Sequence, residues 1–393
     1  MKIVFCSNYM NHHQETLAQE FYKLCDGEYY FLACDRIKQS RLDMGYEDMN
    51  KKYDFIVRPY ENEQEKKRAE ELVRECDLLI FGSGDKKYLD LRMKVNRITF
   101  LYTERIFRGK DNFLLFTRKV LGMYRNFGRH VKKMLYILCA SAYTAADINR
   151  FFDFKNKCYK FGYFPKVQTY NIESLLKNKK KNSLIWVGRM IDLKHPETPI
   201  LIARHLKEDG YSFCLDMIGS GELEEELRKM VEQHGVDDCV TLHGAVLHDK
   251  VRAHMEKAKI FLFTSDFNEG WGAVLNEAMN SGCACIASHA IGSVPFLLND
   301  GENGLIYKNG ALDDLYNKVK YLLDNPDKAA QLGKKAYHTL KGEWNAKVVA
   351  ERVVTLYEHL LKGQQEELFE SGPCSRAAIL KNEWYNNDEQ GKK

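Results

Sequence analysis

The sequence predicts an α/β protein made of two doubly wound domains, each with a parallel sheet. Three observations carry that expectation: short β-rich apolar runs alternate with polar segments of helical length, the alternation occurs twice along the chain, and each run is continuously apolar. Continuous apolarity suits strands buried on both faces, and the intervening segments supply the crossovers that parallel strands need. At about 150 residues per domain, 393 residues also allow two or three domains. A composition of 45% hydrophobic and 29% charged residues excludes a disordered, collagen-like or disulfide-scaffold chain.

The first series of runs is Ile3–Cys6, Tyr29–Cys34, Phe55–Val57, Leu78–Phe81, Ile98–Tyr102 and Leu135–Cys139. The second is Leu184–Val187, Phe213–Ile218, Val240–Leu242, Ile260–Phe263, Cys283–Ala287 and Gly304–Tyr307. Residues 1–165 and 183–343 are therefore expected as domains, joined by a polar linker over 166–182 whose lysine run, Lys177 to Lys181, reads as a solvated face. Residues 344–362 read as an amphipathic helix with Ala346, Val349, Ala350, Val353, Leu356, Tyr357 and Leu360 on one side, crossing back to the first domain. The tail 363–393 is polar, broken at Gly372-Pro373, and carries no pattern that places it.

Ile3-Val4-Phe5-Cys6 is too short for a signal-peptide core, and no run approaches the roughly 18 apolar residues of a membrane span. Eleven cysteines form no Cys-x-x-Cys pair; Cys283 and Cys285 sit in an apolar run and read as strand packing. A cytoplasmic protein with free thiols is expected. The net charge of +4 hides an uneven distribution. Residues 101–200 hold 20 basic against 7 acidic residues, whereas 201–300 hold 8 against 16. From Arg97 to Lys133, ten Lys/Arg are interleaved with Phe107, Phe113, Leu114, Leu115, Phe116, Leu121, Met123, Tyr124 and Phe127. No nucleic-acid recognition motif accompanies them, so the reading is a peripheral contact of residues 97–133 with anionic lipid at the inner face of the cell membrane. The alternative is a helix with a charged outer face.

The stretch that carries chemistry runs from Phe261 to Met279. A strand ends near Thr264, a loop carries Glu269, Gly270, Trp271 and Gly272, and a helix holding Glu277 follows. In open α/β sheets ligands bind beyond the carboxyl ends of strands. Glycines there let backbone approach a ligand, and carboxylates beside a phosphate site accept bonds from sugar hydroxyls. Two upstream segments fit the same picture. Arg189 and Lys194 follow the first strand of the second series, and Gly219-Ser220-Gly221 ends the next strand. The plainer alternatives are acids favoured at a helix start and a solvated pair of cations.

Glu269 and Glu277, with seven residues between them, together with Val187-Gly188-Arg189…Lys194, Ile218-Gly219-Ser220-Gly221-Glu222 and Gly301-Glu302-Asn303-Gly304-Leu305, resemble the donor-binding half of glycosyltransferase family 4. The opening Phe5 to Gln14 resembles capsule or exopolysaccharide cluster enzymes. The resemblance implies the GT-B fold, two Rossmann-like domains facing across a cleft, and retaining transfer from a nucleotide-diphosphate sugar to a glycan or lipid-linked acceptor. It assigns Arg189 and Lys194 to the donor diphosphate, Glu269 to the transferred sugar and Glu277 to the ribose. The backbone around Gly270, Trp271 and Gly272 would meet sugar or phosphate, with the nucleotide near Gly219, Ser220, Gly221, His243 and Gly244. No metal or other cofactor is implied, and the chain has no Asp-x-Asp pair. The family places a cleft histidine after a middle strand of the first domain. Leu101 to Arg105 has none, which leaves Glu104, His12 or His13 as acceptor-side candidates. His12 and His13 equally read as a helix start capped by Asn11. Two other functions stay open on this architecture: a non-catalytic sugar-nucleotide-binding partner of another transferase, and a nucleotide-sugar epimerase or hydrolase.

Overall fold

A computed structural model describes residues 1–39, 47–109, 112–364 and 366–385. Lys110 and Asp111 of the basic stretch, Gln365, and residues 386–393 of the tail lie outside these. The chain forms two compact units: Met1–Lys166 with Trp344–Leu380, and Val167–Glu343 with residues 381–385.

The first unit holds a seven-stranded parallel sheet of β1 (Ile3–Ser7), β2 (Tyr29–Ala33), β3 (Ile56–Val57), β4 (Leu78–Phe81), β5 (Thr99–Thr103), β6 (Leu135–Cys139) and β7 (Cys158–Lys160). Its order is β3-β2-β1-β4-β5-β6-β7. The second unit holds six parallel strands, β8 (Ser183–Val187), β9 (Cys214–Ile218), β10 (Val240–Leu242), β11 (Ile260–Phe263), β12 (Ala284–Ser288) and β13 (Leu305–Tyr307), in the order β10-β9-β8-β11-β12-β13. Each is the doubly wound arrangement whose strand order reverses beside its own first strand. Two Rossmann-like domains are the GT-B building plan. Every apolar run in the sequence became a strand, because residues such as Val4, Ile80, Ile185 and Leu262 are fully buried between helices on both faces.

The sequence did not announce β7, which is three residues long and includes two polar-tipped side chains. The tail explains its stability. Lys160 N bonds to Ser375 O, Cys374 N to Lys160 O and Ala377 N to Cys158 O, and Tyr159 bridges Arg376 in antiparallel fashion. Residues 374–377 thereby cover the free edge of the sheet, which would otherwise template pairing with another chain. Further on, the Tyr385 hydroxyl donates to the carbonyl of Ile306 in the second unit. Helix Ala346–Leu361, capped by Asn345, buries the apolar stripe seen in the sequence and packs on helix His12–Leu24 within the first unit.

The segment 166–182 differs from a bare linker. It contains helix Ile172–Lys177, and Gln168 exchanges two hydrogen bonds with the Asn280 side chain. Lys179 corrects the solvated reading of the lysine run. It is buried, and its Nζ donates to the carbonyls of Met255, Glu256, Ala258 and Ser281 at 2.7–3.2 Å. A run of like residues hides which member turns inward, since only the fold supplies the carbonyls. All eleven cysteines are free thiols, and Cys283 and Cys285 are buried in and beside β12.

Candidate functional site

In the second unit the strand order reverses between β8 and β11, and the loops leaving those two strands carry the residues singled out in the sequence. After β8 the chain makes a turn at Gly188–Met190 and a single 3₁₀ turn, Asp192–Lys194, ending on His195 in the left-handed region at φ +46. After β11 it passes through Thr264 and Ser265 into a loop that ends at helix Val274–Asn280. A buried network ties the two loops. Trp186 Nε1 donates to Thr264 Oγ1 at 2.9 Å, and that hydroxyl donates to the carbonyl of Lys194 at 2.6 Å, with the carbonyl of His195 at 3.1 Å. The amide of Asp266 adds a bond to Leu193 O.

This frame brings Lys194 and Glu269 together as an ion pair, 75 residues apart in sequence, with side chains only 15% and 12% exposed. Ser265 Oγ donates to the same carboxylate oxygen of Glu269 at 3.0 Å. Beside it, His195 lies between Glu197 (Nδ1 to Oε1, 2.9 Å) and Asp266 (Nε2 to Oδ2, 3.6 Å). The bonds from Asp266 and then Glu197 push the imidazole up to about 10 against its desolvation, so it is a cation at neutral pH. Burial works against ionising Asp266, yet the bonds it receives from His195 and Asn268 hold its carboxyl below the ordinary range. The corner thus carries two cations, Lys194 and His195, and three carboxylates, Glu197, Asp266 and Glu269. His195, Asp266, Ser265 and Thr264 were not found in the sequence. The signals were the adjacency of His195 to Lys194 and the position of Thr264, Ser265 and Asp266 within the stretch from Phe261 to Met279.

The remaining donor-side residues separate into groups. Arg189 is exposed at the turn after β8. Gly219 sits against that turn: its φ is +133, and a Cβ there would lie 1.8 Å from Gly188 O. Ser220 and Gly221 are exposed beside it, with Met190 N bonded to Ser220 O, and Gly244 O accepts from Gly219 N at 2.9 Å. The His243 side chain turns instead towards β9, with Nε2 2.7 Å from Asp216 Oδ1. Glu277 is buried in the first turn of helix Val274–Asn280, and Gly270 is buried in the loop before it.

Two residues of this loop also have structural roles. Gly272 does have a glycine conformation, φ +80, but a Cβ there would lie 2.4 Å from the Phe263 ring, so packing of the chain on itself requires it. Trp271 is 1% exposed and donates to Asn276 Oδ1 at 2.9 Å, so its indole packs in the core.

In the first unit, Asn11 caps helix His12–Leu24, its Oδ1 accepting from the amides of His13 and Gln14. The Gln14 side chain reaches Ser7 Oγ instead of completing a reciprocal capping box. His13 stacks on Tyr163 at 5.7 Å, and the Tyr163 hydroxyl donates to Glu104 Oε1 at 2.5 Å. Glu104 is also paired with Arg108. The structure therefore joins two acceptor-side candidates, His13 and Glu104, through a tyrosine that sequence reasoning missed. His12 lies against His13, their ring centroids 3.9 Å apart.

Residues 167–339 match the family model of glycosyl transferases group 1. The match falls on the second domain. The chain is 24% identical over 180 residues to a GDP-mannose-dependent alpha-(1-6)-phosphatidylinositol monomannoside mannosyltransferase of Mycobacterium tuberculosis, covering 44% of this chain and 46% of that protein. It is 29% identical over 132 residues to the amylovoran biosynthesis glycosyltransferase AmsK of Erwinia amylovora, covering 32% of each. The chain thus spans less than half the length of these curated relatives. The crystal structure of Anabaena HepE in complex with UDP aligns over 92% of this chain and 100% of its own with a TM-score of 0.65 and 14% identity, a likeness of fold across both domains.

Proposed function

We propose that the chain is a retaining, family 4-like glycosyltransferase that moves a sugar from a nucleotide-diphosphate sugar to a glycan or lipid-linked acceptor in cell-surface polysaccharide synthesis. The observation that carries this reading is the Lys194–Glu269 pair at the switch point of a domain related in sequence to glycosyltransferases. In the free protein each charge satisfies the other. A donor diphosphate arriving beside Lys194 would take over that cation and release Glu269 for a sugar hydroxyl, so binding and orientation are one exchange of partners. Arg189 adds a second cation at the exposed turn, Glu277 takes the ribose, and the backbone at Gly219 to Gly221 and Gly244 borders the nucleotide.

Chemically, the acceptor oxygen forms a bond to the anomeric carbon on the face from which the diphosphate leaves. The carbon–oxygen bond to phosphate breaks, and the acceptor proton passes to a leaving phosphate oxygen. Fixed cations placed where that charge develops lower the barrier without reorganising. On the first domain the His13–Tyr163–Glu104 group borders the acceptor. The relatives' names support lipid-linked and polysaccharide acceptors and a nucleotide donor.

The proposed site of action is the cytoplasmic membrane surface. Helix Phe113–Asn126 buries only Met123, while Phe113 and Leu114 are 85% and 70% exposed on the same side as Leu121 and Tyr124. Arg118 and Arg125 flank that face. Such a face suits an anionic bilayer surface, and among the described residues no helix is long and apolar enough to cross a membrane. Binding to vesicles should require anionic lipid, weaken with salt and fall in Leu114→Asp.

Transfer itself is tested by incubating the purified chain with UDP-, GDP-, ADP- and TDP-sugars and an acceptor. A donor at 100 times its dissociation constant should add about 2.7 kcal/mol of stability. Glu269→Ala and Lys194→Ala should abolish transfer while remaining folded, and wild-type turnover in either would overturn the assignment. Donor consumption without acceptor would favour a hydrolase.

A further inference from the structure

A cluster of titratable groups lies on β9, after β10 and on helix His248–Lys257: Asp216 and His254 have no role above, and His243, a nucleotide-side candidate by resemblance, points its ring at Asp216. Asp216 Oδ1 is 2.7 Å from His243 Nε2, and the His243 and His254 rings face each other with centroids 4.8 Å apart. One ligand atom from each of the three residues lies within 4.8 Å of the others. We propose that Asp216, His243 and His254 bind a divalent transition-metal ion of the zinc class through two imidazole nitrogens and one carboxylate oxygen. The inference does not depend on the transferase reading.

The donor set is the first argument. Imidazole and carboxylate suit Zn²⁺ and its neighbours in the first transition row, whereas Mg²⁺ and Ca²⁺ prefer oxygen donors alone. Geometry is the second. With metal–ligand bonds of about 2.0–2.2 Å, tetrahedral ligands stand roughly 3.3–3.6 Å apart. The Asp216–His243 contact, at 2.7 Å, must open by somewhat under an ångström, and a separation of up to 4.8 Å must close by about 1.2–1.5 Å at most. Rotation of the three side chains is enough, because each projects from a fixed backbone: Asp216 within β9, His243 through its amide bond to Met217 O, and His254 in the last turn of its helix.

A hydrogen bond between Asp216 and His243 explains that pair but gives no reason for a second imidazole against it. Two cationic rings at this distance would repel. A shared ion, bonded to one nitrogen of each ring, accounts for their pairing. An ion here would fasten the edge strand β10 and the following helix to β9, holding the segment that borders Gly244. Three protein ligands leave a fourth position for water.

The test uses the full chain, stripped with a chelator, dialysed and titrated with Zn²⁺ or Co²⁺. The expected result is one ion per chain, a rise in the melting temperature of the second domain, and a visible Co²⁺ spectrum of four-coordinate nitrogen–oxygen type. His254→Ala should weaken binding at least about tenfold without moving the metal-free melting temperature. Should that variant fail to fold, His254→Gln and Asp216→Asn give the same comparison. A thiolate charge-transfer band would mean that cysteines hold the ion. That band, unchanged affinity in the His254 variants, or no ion retained by the wild-type chain would each overturn the proposal.

Discussion

Replacing Thr264 by Val tests whether the candidate site is held by the buried bridge between β8 and β11. Valine keeps the shape of threonine, so no cavity opens and the change isolates the hydroxyl. That hydroxyl accepts from Trp186 Nε1 at 2.9 Å and donates to Lys194 O at 2.6 Å, and both side chains are about 2% exposed. Losing it leaves the indole N–H with no acceptor in a site closed to water, which costs about 1–3 kcal/mol, and the bond to Lys194 O contributes about 1 kcal/mol more. The expected loss is therefore roughly 2–4 kcal/mol. For a domain of this size each kcal/mol corresponds to about 2–4 °C in melting temperature, so a loss near 3 kcal/mol lowers it by about 6–12 °C. Calorimetry reads the loss, and amide exchange at Lys194 and His195 should quicken first, because their turn hangs from Thr264. Thr264→Ser keeps the hydroxyl and should lose much less. A stability loss below about 0.5 kcal/mol in Thr264→Val, or a larger loss in the Ser variant than in the Val variant, would refute the bridge as the organising element.

Further predictions concern charge. His195 has its folded pKa raised to about 10 from the ordinary 6.5. Its contribution is complete below pH 6.5 and is lost as pH rises towards 10, so the melting temperature should fall across that window with a slope that His195→Asn removes. Identical slopes in the two proteins would contradict the double pairing with Asp266 and Glu197. For Lys194 and Glu269, either single change to Met or Gln leaves one poorly solvated charge and should cost about 2–3 kcal/mol, whereas the double variant should recover part of that loss. Additive losses would show that the pair is not coupled. Lys179→Met keeps the aliphatic stem but strips four carbonyls of their donor, and urea unfolding should register a loss of about 3 kcal/mol or more.

What the sequence made legible was periodicity and spacing. Twelve apolar runs became strands because a doubly covered strand must be apolar throughout, and this constraint is written residue by residue. Glu269 and Lys194 could be singled out because strand ends are where this kind of sheet binds ligands. Local sequence does not encode who meets whom, or which side chain is inside. Trp271 stands in a glycine-rich loop, and nothing in that loop's sequence shows that the fold turns its indole into the core against Asn276. Tyr163 carried no signal, since its partners His13 and Glu104 are brought to it only by the sheet. The glycines have a packing reason that their motif did not state. Gly219 is needed for the approach of Gly188, and Gly272 for the Phe263 ring.

The two domains share a second feature that bears on how such sheets are stabilised away from their ligand ends. In a parallel α/β sheet every crossover helix runs antiparallel to the strands, so helix carboxyl termini and their unpaired carbonyls gather at the amino ends of the strands. Each domain meets that accumulation of negative charge with one buried cation. Arg92, fully buried, donates to the carbonyls of Val73, Cys76, Asp77 and Ile98, at the end of helix Glu63–Glu75 and just before β4 and β5. Lys179 donates to those of Met255, Glu256, Ala258 and Ser281, at the ends of helices His248–Lys257 and Val274–Asn280 and just before β11 and β12. These are the fourth and fifth strands of each domain in chain order for the first sheet and of the corresponding places in the second. The cations come from unrelated positions, one from a helix after β4 and the other from the chain leading into β8, so the place is fixed by electrostatics and the residue is not. Both cations lie at the edge opposite the carboxyl ends where Lys194, Glu269 and the first-domain histidines stand. These cations satisfy buried carbonyls at one end of each sheet, and the candidate-site charges stand at the other.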